Sequence, residues 1–180
     1  MSARTAFASG AGEAFGVPAA VLAAGYVGFG ALAGDAGASI WITMVSTLVV
    51  WALPGQLVML DMWQIGAPMI AVVLAVMLTN ARFLPMVMTL MPVLRDSGHP
   101  RWRYYLAAHW IAMTAWAVTT RRAPELPGPE RVYFLMGFGA VCMSSSTVAC
   151  VIGYLISDSI SPQIQLGLVF LSPIYFFVIL

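Results

Sequence analysis

Apolar residues occupy the chain in six long runs divided by short polar connections. The runs cover residues 14–33, 40–60, 66–94, 103–120, 132–156 and 162–180. A hydrocarbon core about 30 Å thick takes about 20 helical residues, so each run is close to the length of one crossing. The connections "GDAGAS", "RDSGHPRWR", "RRAPELPGPER" and "SDSISP" carry the glycine, proline and charge that end helices. The pattern predicts an all-α, polytopic integral membrane protein, a single transmembrane domain over residues 1–180. The last run is still apolar at Leu180, and "FLSPIYFFVIL" closes without an interfacial or charged residue, so the chain reads as cut short there.

Within the runs, prolines predict interruptions, because each removes a backbone donor and frees the carbonyl four residues earlier. Pro54 frees Val50, Pro85 frees Ala81 and Pro173 frees Val169. Freed groups survive in lipid only where protein or a watered cavity satisfies them, and many transporters build their substrate sites at such helix breaks. The third run, Gly66 to Leu94, would be about 43 Å long as one helix, more than a crossing needs. It is therefore expected either to cross once with a break or to form a re-entrant pair.

Composition agrees with the pattern. The chain is 61% hydrophobic and 8% charged, against about a quarter charged in soluble domains. Eight basic and seven acidic residues nearly cancel, and no basic surface asks for a nucleic acid. Cys142 and Cys150 lie eight residues apart in one run, roughly 12 Å along a helix and too far to bridge, so they read as packing residues. The start, with Arg4, Glu13 and a Gly/Ala-rich run, reads as a retained first helix rather than a cleaved signal. Three arginines lie in each loop flanking the fourth run, so arginine bias does not orient the chain. An enzyme would need a nucleophile with a base, or a metal cluster. "CMSSSTVAC" offers serines, but two histidines and no HExxH or Cys/His ligand spacing point away from catalysis, metal or cofactor.

"VLAVMLTNARFLPMVMTLM", residues 72–90, places Asn80 and Arg82 amid apolar residues. An arginine at the bilayer centre costs at least about 2.5 kcal/mol and needs a partner. No carboxylate lies inside a run: Glu13, Asp35, Asp61 and Asp158 are at ends, and Asp96, Glu125 and Glu130 in loops. A guanidinium suits a carboxylate held bidentately, so an arriving substrate carboxylate could complete the site. Alternatively Arg82 binds freed carbonyls or a partner-subunit acid, or snorkels to an interface. Gln56, Asn80 and Ser172, each beside a proline break, could line one cavity with it.

Other polar and small residues add less. His109 is either a proton relay or a neutral, hydrogen-bonded histidine. Gly25, Gly28, Gly30 and Gly34 fit close helix packing. Most tryptophans fall near run ends as an interfacial belt would, but Trp51 sits beside Pro54. "GALAGD" at 30–35 echoes "GYLISD" at 153–158, each ahead of a proline-bearing run, which suggests an internal repeat.

The order of "GYVGFG", "WALPGQL", "NARFLPM" and "VIGYLISDS...LGLVFLSPIYFFVIL" resembles the AzlC family, the large subunits of branched-chain amino acid exporters, over nearly the whole chain. The resemblance implies export of small apolar amino acids across the bacterial inner membrane by a multi-pass secondary transporter, with proton coupling and a small AzlD-type membrane subunit. It matches the family's glycine turn ending in glutamine to Gly55 and Gln56. It places an acid and an Arg-His pair of the family at Asn80, Arg82 and Phe83, and a Thr-Asp-Glu run at Ala112, Met113 and Thr114. Here the acids are absent, which puts proton coupling in question. The implied substrate site has Arg82 on the carboxylate, Gln56, Gly55, Asn80, Thr114 and Ser172 as polar or backbone contacts, and Trp51 and Phe83 around the aliphatic side chain. A non-transporting scaffold or channel subunit is the alternative.

Overall fold

The structure is a computed structural model that describes residues 2–95 and 98–179. Asp96, expected in a loop, and the chain end at Leu180 lie outside the described residues. The described residues are helical throughout, with no strand among them. Ten α-helices follow in order: α1 Ala3–Ala14, α2 Val17–Asp35, α3 Ile40–Val49, α4 Leu53–Gln64, α5 Met69–Asn80, α6 Phe83–Arg95, α7 Arg101–His109, α8 Met113–Arg122, α9 Arg131–Leu155 and α10 Pro162–Ile179. They cluster into two compact units, one of residues 1–18 and 82–142 and one of 19–81 and 143–180.

Among the described residues, two helices are long and apolar enough to cross a bilayer alone, α2 and α9 with its preceding turn, and α5 with α6 makes a third candidate as a bent pair. By length and composition the described helices give two or three spans, against six apolar runs in the sequence. The run at 40–60 is two helices, of which α3 has ten residues, about 15 Å long and half a crossing. The run at 103–120 likewise divides into α7 and α8. A helix absent from the expected set, α1, precedes the first run, and Ser2 caps it by accepting from the Thr5 amide.

Prolines account for two of the interruptions. Had α3 continued, the Pro54 ring would have met the Val50 carbonyl; instead α3 stops at Val49 and Pro54 sits in the first turn of α4. Pro85 similarly lies in the first turn of α6, after a break at Ala81–Arg82. Pro173 does not break its helix, contrary to expectation: it lies inside α10. One missing hydrogen bond can be tolerated where neighbours hold the helix, and here the Ser172 hydroxyl packs on Gly25 and donates to the Val21 carbonyl at 3.4 Å. The α7–α8 interruption has no proline at all, so packing rather than propensity ends α7.

In the second unit, α2 is gripped through its glycines, as the sequence predicts. A methyl group added at Gly30 would collide with the Cys150 carbonyl, and one at Gly153 with the Val27 carbonyl. Gly28 meets the backbone of α10 at Gln165 in the same way. Small residues let backbones approach and gain dispersion contacts where lipid offers no hydrophobic drive. The two echoed hexapeptides therefore lie in helices that pack on each other, and only the first leads into a broken run.

The first unit repeats the device between α1 and α9, where Gly10 faces the Phe134 carbonyl and Gly137 the Phe7 carbonyl. Four of its arginines are engaged locally. Arg121 and Arg122 pair with Glu13 at 3.0 and 3.1 Å, and Arg131 donates to the carbonyls of Ala123 and Val93 at 3.0 Å. Arg103 donates to the Tyr133 hydroxyl at 2.8 Å. These arginines fasten helix ends together, which is one reason that loop charge does not orient the chain.

Candidate functional site

The α3–α4 interruption, within the second unit, holds the densest buried polar group. The backbone reverses at Trp51, a buried residue with φ of 37°, and Ala52 is extended. A bulky side chain at positive φ costs about 1–3 kcal/mol and persists only where surroundings enforce it. Helix α4 then starts with no side-chain cap.

Gln56 lies in the first turn of α4 and is fully buried. Its Oε1 accepts from the Tyr26 hydroxyl at 3.0 Å. Its Nε2 donates to Ser46 Oγ at 3.1 Å and Thr47 Oγ1 at 3.0 Å. Ser46 donates in turn to the Thr43 carbonyl at 2.8 Å, and the Thr47 proton has two acceptors in reach, the Thr43 carbonyl at 3.0 Å and Cys150 Sγ at 3.5 Å. Four helices, α2, α3, α4 and α9, thus meet through one amide.

Asn80 closes α5 beside this group. A Cβ built on Gly55 would stand 2.6 Å from Asn80 Oδ1 and 2.7 Å from Nδ2, so the carboxamide lies flat on the glycine. Asn80 Oδ1 is buried without a hydrogen-bond partner among the described residues, as is Ser146 Oγ on α9, one turn before Cys150. A buried acceptor with no donor costs about 1–3 kcal/mol, which a bound donor would recover.

The structure therefore brings Gln56, Gly55 and Asn80 together, with Trp51 in the turn leading to them. Ser172 is placed on the Gly25 face of α2. Tyr26, Ser46 and Thr47 were not anticipated. The pair Ser46-Thr47, polar inside an apolar run ten and nine residues before Gln56, was the available signal.

The remaining expected residues belong to the first unit. Arg82 precedes α6 and is exposed, its guanidinium 5.1 Å from the centroid of the Phe83 ring. Among the described residues no carboxylate lies within ion-pair distance of it. Phe83 is half-buried, His109 ends α7 and is exposed, and Thr114 is buried in the first turn of α8. In the α7–α8 interruption, Trp110 packs its side chain on Gly139, where a Cβ would stand 2.6 Å from Cγ.

A family model described as AzlC protein matches residues 18–160. The chain belongs to the AzlC family. Membership makes it a transporter-related membrane protein rather than a member of an enzyme family. The matched stretch includes both interruptions, at residues 50–52 and 110–112, and the Gln56 group. No curated protein and no solved structure matches the chain.

Proposed function

We propose that this AzlC-family chain is the large subunit of a secondary transporter that exports branched-chain or other small apolar amino acids. In this reading it spans the bacterial inner membrane several times and works with a small AzlD-type subunit. The observation that carries the proposal is the Gln56–Asn80 group at the start of α4, where acceptor and donor capacity stand unused inside an apolar segment.

An amino acid brings both complements. Its ammonium donates and suits the orphaned Asn80 Oδ1. Its carboxylate suits the uncapped N-terminus of α4, where amides and the helix dipole favour negative charge. The buried Trp51 and Leu53 offer apolar surface to an aliphatic side chain. Gln56 spends both its N–H groups on Ser46 and Thr47, so it fixes the turn in place. Arg82, which belongs to the first unit and has no acid in reach among the described residues, is proposed as a separate cation for a substrate carboxylate, at a place of its own rather than in the Gln56–Asn80 group. His109 is the proposed proton relay, the expected family acids being absent here.

The test is efflux of labelled leucine from loaded cells. Asn80→Ala and Arg82→Ala should each lower efflux about tenfold or more, the scale of a lost charge-assisted hydrogen bond, with both proteins at normal level in the membrane. Wild-type efflux in both variants would overturn the assigned contacts. Absence of efflux from the wild type, with an intact complex, would instead favour a scaffold.

A further inference from the structure

The α7–α8 interruption carries a second set of unused groups, each of which can donate. Helix α8 begins after Ala112, which is extended and has no side chain to cap with, so the amides of its first turn meet no described side chain. Thr114, the second residue of α8, is 5% exposed, and its Oγ1 has no partner among the described residues. Trp110 Nε1, within the interruption, is buried in the same condition.

Thr114 shares its unpartnered hydroxyl with Thr119 farther along α8, but Thr114 alone of the two lies in the first turn of the helix. Thr43, Thr47, Thr79, Thr89 and Thr147 all donate their hydroxyls to the carbonyl one turn earlier. For Thr114 that carbonyl belongs to Trp110, which the interruption turns to accept from the Ala112 amide at 3.0 Å. The usual outlet is therefore closed. Because Cα–Cβ bonds in a helix tilt toward its N-terminus, the Thr114 side chain is directed back to the uncapped end.

We infer that the α7–α8 interruption is a binding site for a small anion, held by the first-turn amides of α8, the Thr114 hydroxyl and the Trp110 indole N–H. A helix N-terminus carries partial positive charge and free N–H groups, and an indole N–H, which only donates, and a hydroxyl, which can donate, complete a set rich in donors. The chemistry is that of a carboxylate or a halide. The site is confined to the first unit and shares no residue with the Gln56–Asn80 group.

The experiment is equilibrium binding by the full chain in lipid nanodiscs, titrated with sodium acetate or sodium chloride while gluconate holds ionic strength, and read by unfolding temperature and tryptophan fluorescence. A saturable rise with at least one anion is expected. Thr114→Val should weaken the apparent affinity about tenfold, while Thr114→Ser stays close to wild type. Trp110→Phe, which keeps a ring on Gly139, should also weaken it and decides the matter if Thr114→Val does not fold. Competition by leucine would identify the anion as a substrate carboxylate, and a response to chloride that leucine leaves unchanged would identify a free inorganic anion. No saturable response to either anion, or wild-type affinity in a folded Thr114→Val, overturns the inference. Because binding is read without transport, this result is separate from that of the efflux assay.

Discussion

Gly55 decides where the Asn80 carboxamide lies, since the two touch with no room for a side chain. Gly55→Ala should displace the carboxamide and raise the KM for leucine about tenfold, with a stability cost of about 1 kcal/mol; transport kinetics with a thermal-unfolding control measure both. Gln56→Leu should act differently. It takes the acceptor from the Tyr26 hydroxyl, at about 1–3 kcal/mol, and the Nε2 donor from Ser46 and Thr47, which keep their bonds to the Thr43 carbonyl, so the expected result is a protein that unfolds at a lower temperature. Gln56, Asn80 and Gly55 were legible in the sequence because amides beside a Pro-Gly break stand out in an apolar run. Tyr26 and Thr114 were harder to weigh. A threonine in a helix usually satisfies itself on the carbonyl one turn back, whereas a buried tyrosine needs a distant acceptor, and only the fold shows that Tyr26 reaches Gln56 and that Thr114 reaches no partner among the described residues. Arg82 was conspicuous as an isolated charge, yet its exposure depends on where the break falls, which side-chain identity alone does not fix.

At the scale of elements, glycine contacts set how closely helices approach. Gly30→Ala or Gly153→Ala would drive a methyl group into a backbone carbonyl, and overpacking of this kind costs about 1–3 kcal/mol or more. Gly167→Ala in α10 meets nothing within 4 Å and should be neutral or stabilising by about 0.5–1 kcal/mol. Unfolding of the three variants in matched lipid checks the contrast. The breaks at Pro54 and before Pro85 followed from the chemistry of proline. The absence of one at Pro173 did not, because a membrane helix can carry a proline when another helix supports it, as Gly25 and Val21 support Ser172. The interruption at Trp110–Ala112 left no mark in composition, since no residue there opposes a helix and packing on Gly139 is a long-range fact.

The membrane character of the whole molecule and its all-helical class were plain from its 61% apolar content and segment lengths. The count of spans was not, since apolar runs measure length but not continuity, and a half-length helix such as α3 is as apolar as a single crossing. Family membership supplies transport as the setting, and the residues around α4 supply the proposed substrate chemistry. The most direct measurement is counterflow in proteoliposomes containing this chain and the proposed small AzlD-type subunit, with leucine, its decarboxylated amine and its deaminated acid as labelled substrates. Saturable exchange of leucine, with little exchange of either analogue, is the predicted result, because the site answers to both charged ends. Exchange no faster than in protein-free vesicles, with both subunits present in the bilayer, would contradict it.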